Sequence, residues 1–213
     1  KMLLFNFAMG LGVRQLVRFS SQTAKVESME RAFNSLAGGT LDATETLKKL
    51  KDATNNTMSQ FDLFQQANNA MLLGVSKNSD EMARMFDIAQ RLGNALGRDT
   101  ASSVESLVTG IGRQSKLMLD NIGIMVRTKE AYADYAGILD KSVDSLTDAE
   151  KKTAFFNATM SSATLLSKLL APEIDDNQKA FERFNTSMSD LSLELGEALM
   201  PALIALQQVT TSL

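Results

Sequence analysis

Only two prolines, Pro172 and Pro201, interrupt a chain of 213 residues. Proline removes a backbone donor and clashes with the preceding turn, so its scarcity leaves long stretches free to be helical. Twelve glycines supply most of the other breaks. The stretches between them are rich in Ala, Leu, Met, Lys and Gln, which cost little in a helix. A strand-rich chain would carry turn signals at intervals of about 8–12 residues, and this one does not. The pattern predicts an all-α protein: a multi-helix bundle of short helices over residues 1–172, then a long C-terminal helix with a coiled-coil-like seam over 173–213, kinked near Pro201.

Caps and apolar spacing place the elements. A first helical pattern from Met2 to Leu36 breaks at Gly38-Gly39. Thr40 is expected to cap a second helix with Leu41, Leu47 and Leu50 inward and Lys48, Lys49 and Lys51 solvated. Ser59 with Asp62 opens a third, carrying Phe61, Phe64, Ala67 and Met71 on one face. Asn78 with Glu81 opens a fourth, with Met82, Met85, Phe86, Ala89 and Leu92 inward; Gly93 should loosen it and Gly97 end it. Thr100 or Ser102 caps the next, and Ser102 with Glu105 reads as a capping box ahead of Val104, Leu107, Val108 and Ile111. Gly110 and Gly112 should disturb that helix. A short helix from Ser115 to Asn121 then yields at Gly123 to an extended Ile124-Met125-Val126, and helix resumes from Thr128 to Ala136. Thr147 with Glu150 is the cleanest capping box. It opens a long helix with Phe156, Met160, Ala163, Leu166 and Leu170 inward, which Pro172 ends.

Beyond Pro172, Glu173, Asp175 and Asp176 suit the positive end of a helix dipole. Two rows then repeat every seven residues: Phe181, Met188, Leu195, Ala202 and Val209, and Phe184, Leu191, Ala198 and Ala205. Their offsets alternate three and four, the geometry of a coiled-coil seam through which copies of this chain could associate. An intramolecular packing face is the competing reading. Gly196 weakens the helix and Pro201 should kink it.

The side-chain inventory narrows the chemistry. The chain has no Cys, His or Trp. That removes disulfide frameworks, zinc fingers, Cys-His nucleophile pairs and Ser-His-Asp triads. Carboxylates, Lys, Tyr and hydroxyls remain, and no local pattern pairs two acids for catalysis, so no catalytic residue, metal or cofactor is expected. A net charge of −3 gives no field that would draw nucleic acid. Gly110-Ile111-Gly112-Arg113 lacks the Gly-Lys-Ser/Thr continuation of a phosphate loop, and a structural turn is the expectation there. Met2 to Val13 is uncharged, but as a helix it covers about 18 Å against a hydrocarbon core of about 30 Å. A helix packed in protein is therefore expected, with membrane contact by residues 2–19 as the alternative. Lys1 at the start and a helical pattern still running at Val209 to Leu213 suggest a piece of a longer chain.

At Leu107 to Val126, LVTGIGRQSKLMLDNIGIMV, the sequence resembles phage tail length tape measure proteins, in which a helix runs into Gly-Ile-Gly-Arg-Gln-Ser and then Leu-Asp-Asn-Ile-Gly-Ile. The residues that match are Gly110, Gly112, Arg113, Ser115, Leu119, Asp120, Asn121 and Gly123. EAYADYAGILDKSVDSLTDAEKK, Glu130 to Lys152, continues the likeness. LELGEALMPALIAL, Leu193 to Leu206, is similar to the family's Leu-Gly-x-x-Leu-x-Pro segment, with Pro201 as its proline. The resemblance covers roughly half the chain, best over residues 98–160. It implies a structural virion component present in several copies, three being one arrangement, inside the tail tube. Such a protein helps set tail length, leaves ahead of the genome, and meets tail tube, tail hub and tail assembly chaperone proteins. Its expected locations are the tail lumen and, during assembly, the host cytoplasm.

Overall fold

The computed structural model describes residues 21–170 and 176–211, with side chains described over 21–170, 179–198 and at Pro201. Among these residues the protein is all-helical. In chain order the helices are α1 (21–37), α2 (Ala43–Ala53), α3 (Gln60–Leu72), α4 (Ser79–Ala95), α5 (Thr100–Gly112), α6 (Lys116–Asp120), α7 (Thr128–Ile138), α8 (Asp148–Leu169) and α9 (Asp176–Thr211), with a 3₁₀ turn at Val143–Ser145. The part of the first pattern before residue 21 lies outside the described residues, as do Pro172, Glu173 and Asp175.

The core is built around α4. It packs on α2, α5 and α8, while α3 packs on α2 and α5, and α7 on α8. Phe33, Phe64, Phe86 and Phe155 are fully buried, together with Met82, Met85 and Leu107. The Phe33 and Phe64 rings meet at 5.7 Å between centroids and 56° between planes, joining α1 to α3 in a tilted aromatic pair. The apolar positions expected on α4 and α5 are buried; on α3 Phe64, Ala67 and Met71 are buried as expected, Phe61 is only partly buried, and Leu63 and Ala70 are buried beside them. On α8 the buried row runs through Ala154, Phe155, Thr159, Ala163 and Ser167. The expected Phe156, Met160, Leu166 and Leu170 lie along its margin, partly buried.

Several starts were legible and several were not. Ser59, Asn78 and Thr147 cap α3, α4 and α8, and at Thr147 both bonds of the capping box are present. Only half of a box forms at Asn78, because the Glu81 carboxylate accepts from the Ser76 hydroxyl instead of turning back. Asp42, not Thr40, caps α2; the Thr40 hydroxyl donates to the Ala37 carbonyl and closes the end of α1. Asp99, not Thr100 or Ser102, caps α5, since its carboxylate accepts from the Ser102 amide. At these two starts the acid takes the cap, its carboxylate accepting from the amide three residues on while also meeting the positive helix end.

Glycine inside a helix costs about 1 kcal/mol relative to alanine, so its retention calls for a reason. Gly93 does not loosen α4. It lets α5 approach so closely that a Cβ at this position would lie 2.6 Å from the Cβ of Ser103.

Two outcomes follow from this packing. Gly93→Ala should destabilise the fold by about 1–3 kcal/mol in urea denaturation despite the better helix propensity of alanine. At the start of α8, the Lys141 ammonium and then the Thr147 amide and hydroxyl hold the Glu150 carboxyl at about 2, below its ordinary 4.5. A lowered folded pKa stabilises above the unfolded value and loses that stabilisation as pH falls through the folded one. The stability advantage of the natural protein over Glu150→Gln should therefore be full near pH 6 and vanish by about pH 2, read from denaturation midpoints.

Candidate functional site

The segment from Gly110 to Val126 folds as one tight unit. Gly110 is inside α5 and does not break it, while Gly112 is its last residue. A Cβ at Gly110 would lie 2.6 Å from Leu119 Cδ2 and 3.3 Å from the Leu119 backbone nitrogen, so α6 rests directly on α5 at this point. At Gly112 a Cβ would meet the Leu73 side chain just after α3, 2.8 Å from its Cδ1. Arg113 is the C-cap of α5 and is exposed. Gln114 takes a left-handed conformation at φ 51°, and the amides of Gln114 and Ser115 return to the carbonyls of Ile111 and Gly110. This closes the helix by a Schellman pattern, with Gln in place of the usual Gly. The Tyr132 hydroxyl donates to Gln114 Oε1 at 3.2 Å.

Ser115 caps α6, and Leu119, fully buried, is the pivot of the unit. Its carbonyl accepts from the amides of both Ile122 and Ile124, around a turn that Gly123 makes at φ 75°. Ile122 in that turn and Ile124 and Val126 in the non-helical run after it are buried, and Met125 is 78% exposed. Asp120 and Asn121 stand on the surface. The matching residues are thus brought together, but chiefly as a scaffold of close approaches, caps and turns. The Gly-Ile-Gly-Arg run has no loop geometry that could cradle a phosphate.

Helix α9 presents the second arrangement. Its side toward the body carries Lys179, Glu182, Thr186, Ser189, Asp190, Leu193 and Gly196. Leu193 is the one large apolar residue buried among the described part of that helix. Polar contacts do most of the docking. Asp190 accepts from Lys51 Nζ at 2.8 Å and from the Gln60 amide at 3.3 Å, the first residue of α3. Glu182 accepts from the Thr100 hydroxyl at 3.1 Å, the first residue of α5. Each carboxylate thus sits at the positive end of a helix. Arg183 Nε donates to the Asn55 carbonyl, and the Thr23 hydroxyl donates to the Leu193 carbonyl. Lys51, expected on a solvated face, is instead half of this ion pair.

Beneath this contact lies a buried polar chain. Gln90 is fully buried on α4. Its Nε2 donates to the Thr54 carbonyl at 2.6 Å and the Thr57 hydroxyl at 2.9 Å, and its Oε1 accepts from Asn55 Nδ2 at 2.8 Å. Thr57 and Thr100 are joined at 2.8 Å, which leads to Glu182. A glutamine on the inward face of α4 was the sequence's only signal of this chain. Asp62, Asp99 and Glu182 also border a groove of about 260 Å³ between α3, α5 and α9. Burial raises the Asp99 carboxyl, but hydrogen bonds from Ser102 outweigh that and hold it below its ordinary value. Among the described residues no cluster of three or more acids is arranged to hold a metal ion.

The opposite side of α9 faces outward and is apolar. Phe181 is 65% exposed, Phe184 60%, Met188 50%, Leu191 46% and Leu195 43%. Ala198 is exposed beside them, and α9 continues through Pro201. The side chains of Ala202, Ala205 and Val209 lie outside the described residues, as do residues 2–19. None of the described helices is long and apolar enough to cross a membrane. No protein-family model matches the chain, and no solved structure matches it.

Gly110→Ala should cost about 1–3 kcal/mol, since Leu119 cannot retreat without moving the backbone of α6. Asp190→Ala removes a charged acceptor from two donors, and should speed amide exchange across 179–195 while weakening the fold by about 2 kcal/mol.

Proposed function

We propose that this chain is a segment of a phage tail length tape measure protein, a structural component of tail assembly and genome delivery with no bond making or breaking assigned to its side chains. Its partners are further copies of itself and the tail tube, tail hub and tail assembly chaperone proteins, and its place is the tail lumen, after a stage in the host cytoplasm. The support is the resemblance at Leu107 to Val126, Glu130 to Lys152 and Leu193 to Leu206, together with one observation that carries the reading toward assembly. Helix α9 docks by its polar side and turns five large apolar side chains to solvent at heptad spacing. An ordinary surface helix does the reverse. The coiled-coil-like seam through Phe181, Phe184, Met188, Leu191 and Leu195 is the contact surface between copies.

Length separates membership from measurement. Even as one straight helix, 213 residues would span about 320 Å, and a tail of order 1,000 Å would need about 670 residues. This segment belongs to the folded part of the protein, and the extended ruler lies elsewhere.

Removing the coding region for residues 21–198 from the phage or prophage genome that carries it should leave particles without mature tails in electron micrographs. Normal tails of unchanged length would overturn the reading. At the level of the seam, Leu191→Glu with Leu195→Glu should abolish concentration-dependent association in sedimentation. Its thermal unfolding should stay close to that of the natural protein, because both side chains are nearly half exposed.

A further inference from the structure

The outer face of α9 constrains how a second copy can sit on it. Lys179, Thr186 and Leu193, seven residues apart, are buried against the body, and the apolar stripe lies on the opposite side of the helix. At 100° per residue the stripe is turned by 140–200° from that row, so α9 cannot bury both sides on its own body at once. The residues flanking the stripe are Asn185, Ser187, Ser192 and Glu194. With so little charge there, identical copies meet without strong repulsion, and no oppositely charged partner is called for.

Side-chain size then selects the direction. The stripe tapers from Phe181, Phe184 and Met188 through Leu191 and Leu195 to Ala198, and by sequence register on to Ala202 and Ala205. In a parallel, in-register pair, Phe would face Phe at one end and Ala would face Ala at the other, forcing the helix axes apart at one end only. In an antiparallel pair with its two-fold axis level with Leu193, Leu191 meets Leu195 of the second copy and Met188 meets Ala198. The described layer outside the central leucines then holds one large and one small residue, and the axes stay evenly spaced. These partners also alternate between the two seam positions, as antiparallel packing requires.

We infer that α9 pairs with α9 of a second copy in antiparallel fashion, about a two-fold axis at the level of Leu193. The inference rests on the self-association part of the proposed function. The five exposed side chains offer on the order of 500 Å² per copy, about 1,000 Å² for the pair. Stable interfaces start near about 1,200 Å², so the pair sits at the weak end and should dissociate in the micromolar range. Glu194 meets its own counterpart near the axis, a small cost at an exposed site. A two-fold pair has no direction, whereas a tail has two unlike ends; on the tail reading, the pair is a form of the free protein that parts when copies enter a tail.

The absence of cysteine makes the test clean. Met188→Cys and Ala198→Cys are introduced separately into the full chain, at exposed positions, with circular dichroism to verify the fold. Under mild oxidation a mixture of the two should give a mixed disulfide dimer, while each alone gives none. In the antiparallel pair each residue is about 15 Å along the axis from its own counterpart, beyond the reach of about 7 Å between Cα atoms. Disulfide dimers from each variant alone would show parallel pairing and overturn this inference while leaving self-association standing. A threefold mass for the unmodified protein in sedimentation equilibrium would overturn the two-fold pair in the same way. A monomer at about 100 μM, some tenfold or more above the expected midpoint, would overturn both the pairing and the seam.

Discussion

The hydrogen-bonded docking of α9 is the contact on which the rest of the surface depends. Asp190, which accepts from the Gln60 amide at the start of α3, and Glu182, which accepts from the Thr100 hydroxyl at the start of α5, place two negative charges at the positive ends of those helices. Lys51 and Arg183 complete the contact. Because the attraction is made by polar groups in defined geometry, it sets the rotation of α9 about its axis in a way a greasy face would not. That rotation aims Phe181, Phe184, Met188, Leu191 and Leu195 at solvent. The buried chain through Gln90, Thr57 and Thr100 carries the same contact into the core, where an unmet donor or acceptor would be costly.

A second constraint is close approach. Gly93 admits Ser103, Gly110 admits Leu119, and Gly112 admits Leu73. Gly93 and Gly110 are inside helices, where they give up propensity, Gly112 ends α5, and all three stand where a neighbouring segment presses against the helix backbone. The Gly-Ile-Gly-Arg-Gln-Ser run therefore has a packing explanation: two helical glycines take up α6 and the end of α3, and the three residues after the second glycine turn the chain back. The surface left by this unit includes Arg113, Asp120, Asn121 and Met125, while its interior is held by Leu119, Ile122 and Ile124.

Legibility followed the range of the interaction. The capping box at Thr147 and Glu150 and the cap at Ser59 involve residues three apart, and they could be read directly. Asp42 and Asp99 were missed although equally local, because a neighbouring hydroxyl competed for the same role and only the path of the chain decides between them. The glycine contacts were misread as breaks, since each partner lies on a different element and the sequence shows only the missing side chain. On α8 Ala163 is buried as expected, but Phe156, Met160 and Leu166 stand beside the buried row, because Thr159 and Ser167 are buried there and hydrogen-bond back to carbonyls of their own helix. An apolar count cannot find such residues.

Taken alone, the sequence determined helicity, the main breaks, the heptad rows after Phe181 and the lack of the side chains that most enzyme families use. Those properties are set by local propensity, by periodicity and by inventory. Only the tertiary structure decided which side of α9 meets the body, since that depends on where the starts of α3 and α5 fall in space. A stripe of large apolar residues reads the same in a sequence whether it will be buried or shown. The acids on the other side of the helix, and the helix ends they reach, settle the matter.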